Sequence, residues 1–297
     1  MKFERRTKIK DDQWFDIIVY AIATVILIMI LYPLLFVVSA SFSDPSKVIG
    51  GEMWLLPKGF TLDAYKEVFE TKEVWTGYKN TIIYTVLGTL INITLTTLAA
   101  YPLSRKDLPG RSIFMFIIAF TMFFSGGLIP TYLLVQSLGM VDTIWSMMIP
   151  TAIATYNLIV MRTYFQTSIP WELQEAALMD GSSNTRLLVS IILPLSKPII
   201  AVMVLFYAVG HWNAYFNALI YLNSEHLYPL QIILRNILIT NQNALMEGDA
   251  FGLGERLLLA ESIKYSLIIV ASIPVLLIYP FVQRHFIKGV MIGSLKG

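Results

Sequence analysis

The chain has no cysteine, only three histidines, and charged side chains at just 14% of its 297 positions. Disulfides, thiol nucleophiles and cysteine-held metals are therefore excluded. No two of His211, His226 and His285 stand at metal-ligand spacing, and no carboxylate pairs with a candidate nucleophile. The pattern G-x-x-x-x-G-K-[ST], whose backbone cradles nucleotide phosphates, is also missing, so the chain has no such motor loop of its own. A net charge of +2, with basic residues spread along the sequence, gives nucleic acid no patch to bind.

What the chain has in excess is apolar surface. Its apolar share is 56% and its mean hydropathy +0.65, whereas soluble domains run at roughly 45–50% apolar and about 25% charged. About 20 apolar residues in a helix cross a hydrocarbon core of roughly 30 Å. Six segments meet that length: Ile17–Ala40, Thr81–Ser104, Ser112–Leu138, Thr143–Phe165, Pro198–Leu222 and Ser262–Val282. The expectation is an all-α, polytopic membrane protein with six transmembrane helices, forming one domain over residues 1–297. Val38-Ser39-Ala40 resembles a signal-peptidase site behind a basic start. The charge-free run before it exceeds the roughly 7–15 residue core of a cleaved signal, which favours a retained anchor.

Lysines and arginines beside the spans set orientation. With both termini in the cytoplasm, fourteen of the 22 lie inside; of the other eight, seven are diluted over the long external segments 41–79 and 223–261, and Lys264 follows the second of them. The segment 166–197 and the tail 283–297 then face the cytoplasm.

The stretch EAALMDGSSNTRLLVSIILPLSKP, Glu175–Pro198, carries charge between two apolar spans. Pro170 suits a first helical turn and Glu172 complements the positive end of its dipole, so a short helix is expected from about Pro170 to Asp180. Gly181 supplies a left-handed stop, and Ser182 or Ser183 can cap a second helix that ends near Pro194. On these grounds two readings stand: an ordinary interfacial loop, or a corner shaped to touch another protein.

Glu175-Ala176-Ala177, three residues, Gly181, nine residues, Ile191, one residue, Leu193-Pro194 resembles the complete EAA signature of the membrane subunits of ABC importers that use a solute-binding protein. That resemblance implies the type I importer permease fold, with this hairpin as the coupling helix. It places Glu175, Ala176, Ala177, Asp180, Gly181, Ile191, Leu193 and Pro194 at an ATPase cleft. Leu56–Tyr65 looks like the start of the external loop in carbohydrate permeases of the maltose group. The end of the chain, Gln283-Arg284-His285-Phe286-Ile287-Lys288-Gly289 through Gly293-Ser294-Leu295-Lys296-Gly297, is similar to the tail of the second, MalG-like permease of that group. With Ser125–Pro130 and Gly210–Asn213, the chain resembles the branch for complex, often acidic oligosaccharides such as aldouronate or alginate fragments. The implied partners are a second, different permease, two copies of a cytoplasmic ABC ATPase and an extracellular solute-binding protein, in the cytoplasmic membrane of a bacterium. This chain would hold no cofactor, with ATP and Mg on the ATPase, and Gln283, Arg284, Gly289, Gly293, Lys296 and Gly297 would touch the ATPase pair.

The sugar path is sought among residues that lipid cannot satisfy. Within the fifth segment, His211, Trp212, Asn213, Tyr215 and Asn217 combine aromatic faces for sugar C–H surfaces with amides for hydroxyls. Packing between helices is the competing use of the same residues. Gly126, Gly127 and Pro130 are expected to break or kink the third span, as a hinge or a packing accommodation. Arg162 is expected to anchor at the inner interface, with attraction of an acidic sugar as the alternative. The external segments serve as a platform for the binding protein or as a self-contained cap. The reading is a sugar-importing permease subunit and not an enzyme. Its rivals are an ABC permease for a non-sugar solute and an ATP-independent channel or secondary transporter.

Overall fold

The computed structural model describes residues 10–247, 258, 260 and 263–278, and among them every regular element is helical. The contacts divide the chain into two units, Met1–Glu70 with Leu238–Val270, and Thr71–Ile237 with Ala271–Gly297.

In the first unit, α1 (Lys10–Ser41) holds a charge-free run that leaves nothing for lipid to reject; its segment Gln13–Ser41 is apolar and long enough to span, and it is exposed throughout residues 17–35. Past its end the chain turns through α2 (Pro45–Ile49), which Asp44 starts by accepting from the Ser46 N–H, and then α3 (Asp63–Glu70). The loop between them returns to α1: Ser39 Oγ donates to the Leu55 carbonyl at 2.7 Å, and the Asp44 N–H donates to the Lys58 carbonyl at 3.0 Å.

The second unit is built on α4 (Lys72–Ser104), a second spanning-length helix of 33 residues. One of its faces is buried but polar, with Thr81, Tyr84, Gly88, Asn92 and Thr96 following at helical spacing. Against it pack α7 (Thr155–Ser168) and α11 (Lys197–Trp212). Between bilayer-embedded helices, close approach and polar pairing supply the attraction that water supplies elsewhere. Gly88 shows the first, because a Cβ there would run into the His211 ring.

The third expected span breaks, as its glycines suggest. It becomes α5 (Arg111–Phe123) and α6 (Leu128–Ser137), bent by 113°, with Gly127 at φ 86° and Pro130 in the first turn of α6, where no intrahelical N–H is needed. The fourth expected span, Thr143–Phe165, is helical only in part: a 3-10 turn at Ile144–Met147 and an irregular stretch around Pro150 lead into α7. A proline cannot donate to the preceding turn, so the helix resumes only beyond it. The fifth continues past α11, across Asn213 and Ala214, as α12 (Tyr215–Tyr221). Of the sixth, Ile263–Ile278 is an apolar helix, and its expected end at Val282 lies outside the described residues.

The irregular stretch shows what the polar face of α4 is for. Unwound backbone at membrane depth must find partners within the protein. Asn92 Nδ2 donates to the carbonyls of Thr151 and Ala152, both at 2.8 Å, while the Ala154 N–H donates to the Tyr207 hydroxyl at 3.3 Å. Thr96 pairs with the same hydroxyl at 2.7 Å.

Candidate functional site

The hairpin after α7 follows its sequence closely. α8 (Trp171–Met179) begins behind Pro170 and ends in a paired cap: the Gly181 N–H donates to the Leu178 carbonyl at 3.0 Å and the Ser182 N–H to Ala177 at 2.9 Å. Gly181 has φ +76°, with open space where a Cβ would stand, so backbone conformation alone calls for glycine here. Ser183 caps α9 (Asn184–Leu187), accepting from the Arg186 N–H at 3.3 Å. The helix ends at Leu195, one residue past the Pro194 near which it was expected to stop. It widens into a π-turn, Leu188–Ile192, in which the Leu193 N–H reaches the Leu188 carbonyl, and it continues as α10 (Leu193–Leu195). That extra residue in the turn gives the proline ring room where an α-helical carbonyl would collide with it.

Burial sorts the signature residues by task. Ala177 packs into a core of Met161, Phe165, Ile169, Leu187 and Ile192, where a larger side chain would hold α8 away. Glu175, Ala176, Asp180, Gly181 and Pro194 are exposed, and Met179 beside them is 88% exposed. Ile191 and Leu193 are half-buried. Glu175 is tied within its own helix, accepting from Trp171 Nε1 at 2.6 Å. The tail residues Gln283, Arg284, Gly289, Gly293, Lys296 and Gly297 lie outside the described residues.

One residue was counted in the sequence only for its charge. Arg105, immediately after α4, is 7% exposed and holds α4 to both arms of the hairpin. It grips Asp107 through Nε and Nη2 at 2.8 and 2.6 Å, and donates from Nη1 to the Tyr101 hydroxyl at 2.9 Å and to Asn184 Oδ1 at 3.1 Å. Its guanidinium also lies 5.9 Å from the Trp171 ring centre. The hydrogen bonds to Asp107 raise the Arg105 pKa against the opposing effect of burial, and the guanidinium in turn holds the Asp107 carboxyl below its ordinary value. A cavity of about 420 Å³ opens beside this link, between Leu98, Pro102, Leu108 and Thr185. Arg162, midway along α7, donates from Nε to the Leu103 carbonyl near the end of α4 at 3.2 Å.

Further along α11 a second cavity, of about 240 Å³, is walled by Thr151, Asn157, Tyr207, His211 and Asn217. Neither the Asn157 nor the Asn217 amide is held by another described residue. The wall itself is rigid: His211 Nε2 meets Asn92 Oδ1 at 2.6 Å, which fixes the asparagine that binds the unwound stretch. Of the five path candidates, then, His211 and Asn217 reach the cavity. Trp212 does not; it is buried, with Nε1 donating to the Ala271 carbonyl at 3.0 Å and its ring 6.2 Å from that of Tyr78. Asn213 bonds back to the Val209 carbonyl, and Tyr215 sits edge-on to Phe216 on an exposed face. In the sequence Asn157 shows only as one polar residue of the fourth expected span, and Asn92 as one of the second. The signal for Asn92 was an asparagine in phase with Gly88 and Thr96 on an apolar helix.

Residues 74–292 match the family described as binding-protein-dependent transport system inner membrane component. The chain is 43% identical over 287 residues to the polygalacturonan/rhamnogalacturonan transport system permease protein of Bacillus subtilis (strain 168), covering 96% of this chain and 99% of that one. It is 42% identical to protein LplC of the same organism, with 89% of each chain covered. Among solved structures it resembles a chain from a bacterial ABC transporter involved in the import of the acidic polysaccharide alginate. That match has a TM-score of 0.84 and 34% identity, and covers 95% of this chain and 99% of that one.

Proposed function

Because this chain belongs to the binding-protein-dependent transport system inner membrane components, we propose that it is the permease subunit through which an ABC importer moves oligosaccharides rich in uronic acid. Membership makes it a membrane subunit of a binding-protein-dependent transport system; the sugar class, and within it the uronate preference, rest on the polygalacturonan and alginate systems named among its relatives. A second permease, a pair of ATPase subunits and an extracellular binding protein complete the assembly, and both termini face the cytoplasm. ATP is hydrolysed by the partner subunits.

The observation that supports the coupling mechanism is the hairpin, whose buried residues fasten it to the permease core while Glu175, Ala176 and Met179 stay exposed where a partner's cleft can receive them. When the ATPase pair closes, α8 moves with it. Arg105 passes that displacement to the end of α4, because it is bonded to Asn184 on one side and Tyr101 on the other. The far part of α4 holds Asn92, which is bonded to the His211 ring in the wall of the second cavity. Sugar hydroxyls passing there meet the Asn157 and Asn217 amides and the Tyr207 and Thr151 side chains. No acidic or basic side chain lines that cavity apart from the His211 ring, so recognition of a uronate's carboxylate falls to other parts of the assembly.

Reconstitution tests this reading. The chain, co-expressed with its companion permease, ATPase and binding protein, is placed in liposomes, and ATP-dependent uptake of labelled oligogalacturonates is compared with that of neutral maltodextrins of equal length. Uronate uptake exceeding maltodextrin uptake is expected. Equal uptake of both would overturn the uronate preference, and ATP-independent uptake would overturn the importer itself.

A further inference from the structure

The geometry points to a membrane-inserted wedge, Trp54-Leu55-Leu56, which returns beside α1 and enters the lipid leaflet at that helix's C-terminal end. The charge-free run of α1 begins after Asp16. A hydrocarbon core of roughly 30 Å takes about 20 residues, so its far boundary falls near Phe36, and Ser39, Ser41 and Ser43 lie beyond it. The loop after α2 is tied to α1 at successive heights. Highest are the backbone bond from the Thr61 N–H to the Phe42 carbonyl at 3.0 Å and the Lys58 N–H to Ser43 Oγ at 3.1 Å. Lower is Leu55, whose carbonyl accepts from Ser39 Oγ at 2.7 Å. Lowest is Trp54, whose ring lies 6.3 Å from that of Tyr32, about one helical turn below the boundary.

Exposure fits the same picture. Trp54 and Leu56 are 74% and 75% exposed and Leu55 is 41% exposed, although Met53 immediately before them is buried. Three consecutive bare apolar side chains at this height continue the surface of α1 that residues 17–35 leave exposed. Tryptophan favours the headgroup boundary, where its ring is in hydrocarbon and its N–H can reach water, and an apolar wedge there sinks by about 5–10 Å. Lys58, two residues after Leu56, stands where phosphates would lie. Phe60 stays above, stacked on Phe42 at 5.8 Å. The wedge pins the first external segment at the membrane and leaves α3, with its exposed Asp63 and Lys66, toward water.

Site-directed spin labelling tests the wedge in the intact complex, made with cysteine-free partner subunits and reconstituted into liposomes. This chain has no cysteine of its own, so Trp54→Cys, Leu56→Cys and the control Lys66→Cys each carry a single nitroxide. Collision with oxygen, which partitions into lipid, is compared with collision with a water-soluble nickel chelate. The ratio of oxygen to nickel collisions should be several-fold higher at 54 and 56 than at 66. Nickel access at 54 and 56 equal to that at 66 would place the segment in water, and shielding from both reagents would place it against a protein partner. Either result overturns the wedge.

Discussion

Replacing Arg105 tests whether the hairpin reaches the core through one side chain. The Asp107 partner keeps 53% of its side-chain surface in water, so that ion pair contributes no more than about 1 kcal/mol. The two hydrogen bonds from the buried guanidinium to Tyr101 and Asn184 are of the charged-donor kind, at about 1.5–3 kcal/mol each. Exposed Asn184 can recover part of its share from water, which leaves a loss of roughly 3–4 kcal/mol for Arg105→Ala. That is enough to loosen the hairpin, held through Asn184 of α9 and the Trp171 ring of α8, from the end of α4 without unfolding a membrane-embedded bundle. Arg105→Lys keeps the charge but not the planar fork, and one ammonium cannot grip Asp107 in two places while also reaching Asn184. In the purified complex, basal ATP hydrolysis should survive in both variants, with stimulation by loaded binding protein lost in the alanine variant and reduced in the lysine variant. Faster amide exchange over residues 171–181 should accompany the loss. The link should also be indifferent to ordinary pH changes. Because Asp107 has a folded pKa below its unfolded value of about 3.9, its contribution is present above that value and disappears only as pH falls through the folded pKa. Stimulation by binding protein should therefore not change through Asp107 between neutrality and about pH 5. Wild-type stimulation and unchanged exchange in Arg105→Ala would refute the reasoning.

Gly181→Val forces a β-branched residue into φ +76°, a strain above about 1–2 kcal/mol; stimulated hydrolysis should drop while insertion persists, and a fully coupled variant would remove the corner's role. Asn157→Ala with Asn217→Ala should cut uptake by roughly tenfold or more through loss of two hydroxyl-binding amides at about 1 kcal/mol each, with binding-protein affinity unchanged; normal transport would take the cavity off the path. Trp212→Ala should lower the yield of assembled complex more than it lowers uptake per complex, since the ring is packed against Tyr78 and bonded to Ala271; the opposite pattern would return Trp212 to the sugar.

The hairpin was legible because its determinants are local. Gly181, Ser183 and Pro170 act on backbone within a few residues of themselves, so their spacing was enough to place both helices and the corner. The π-turn before Pro194 was not legible, since a proline in that position permits either an ending or a widened turn, and Leu188 and Ile192 choose the second by packing into the core. Apolar length located the spans, but it could not separate a continuous helix from one interrupted by Pro150. That interruption survives because Asn92 and Tyr207, far away in sequence, accommodate it. The same limit hid the cavity beside His211. The aromatic Trp212 and Tyr215 stood out in sequence, yet Trp212 turns inward to Tyr78 and Ala271, and it is the less conspicuous Asn157 of α7 that lines the cavity.

The hydrogen bonds that complete the interrupted fourth segment also impose an order on biogenesis. When the ribosome has delivered residues 148–154 to the membrane, Asn92 has already been inserted and can take the Thr151 and Ala152 carbonyls at once, but the hydroxyl awaiting the Ala154 N–H belongs to Tyr207, which has not yet been made. The nascent segment must wait half-satisfied, sheltered by the insertion machinery or still hydrated, until α11 arrives and closes the last bond.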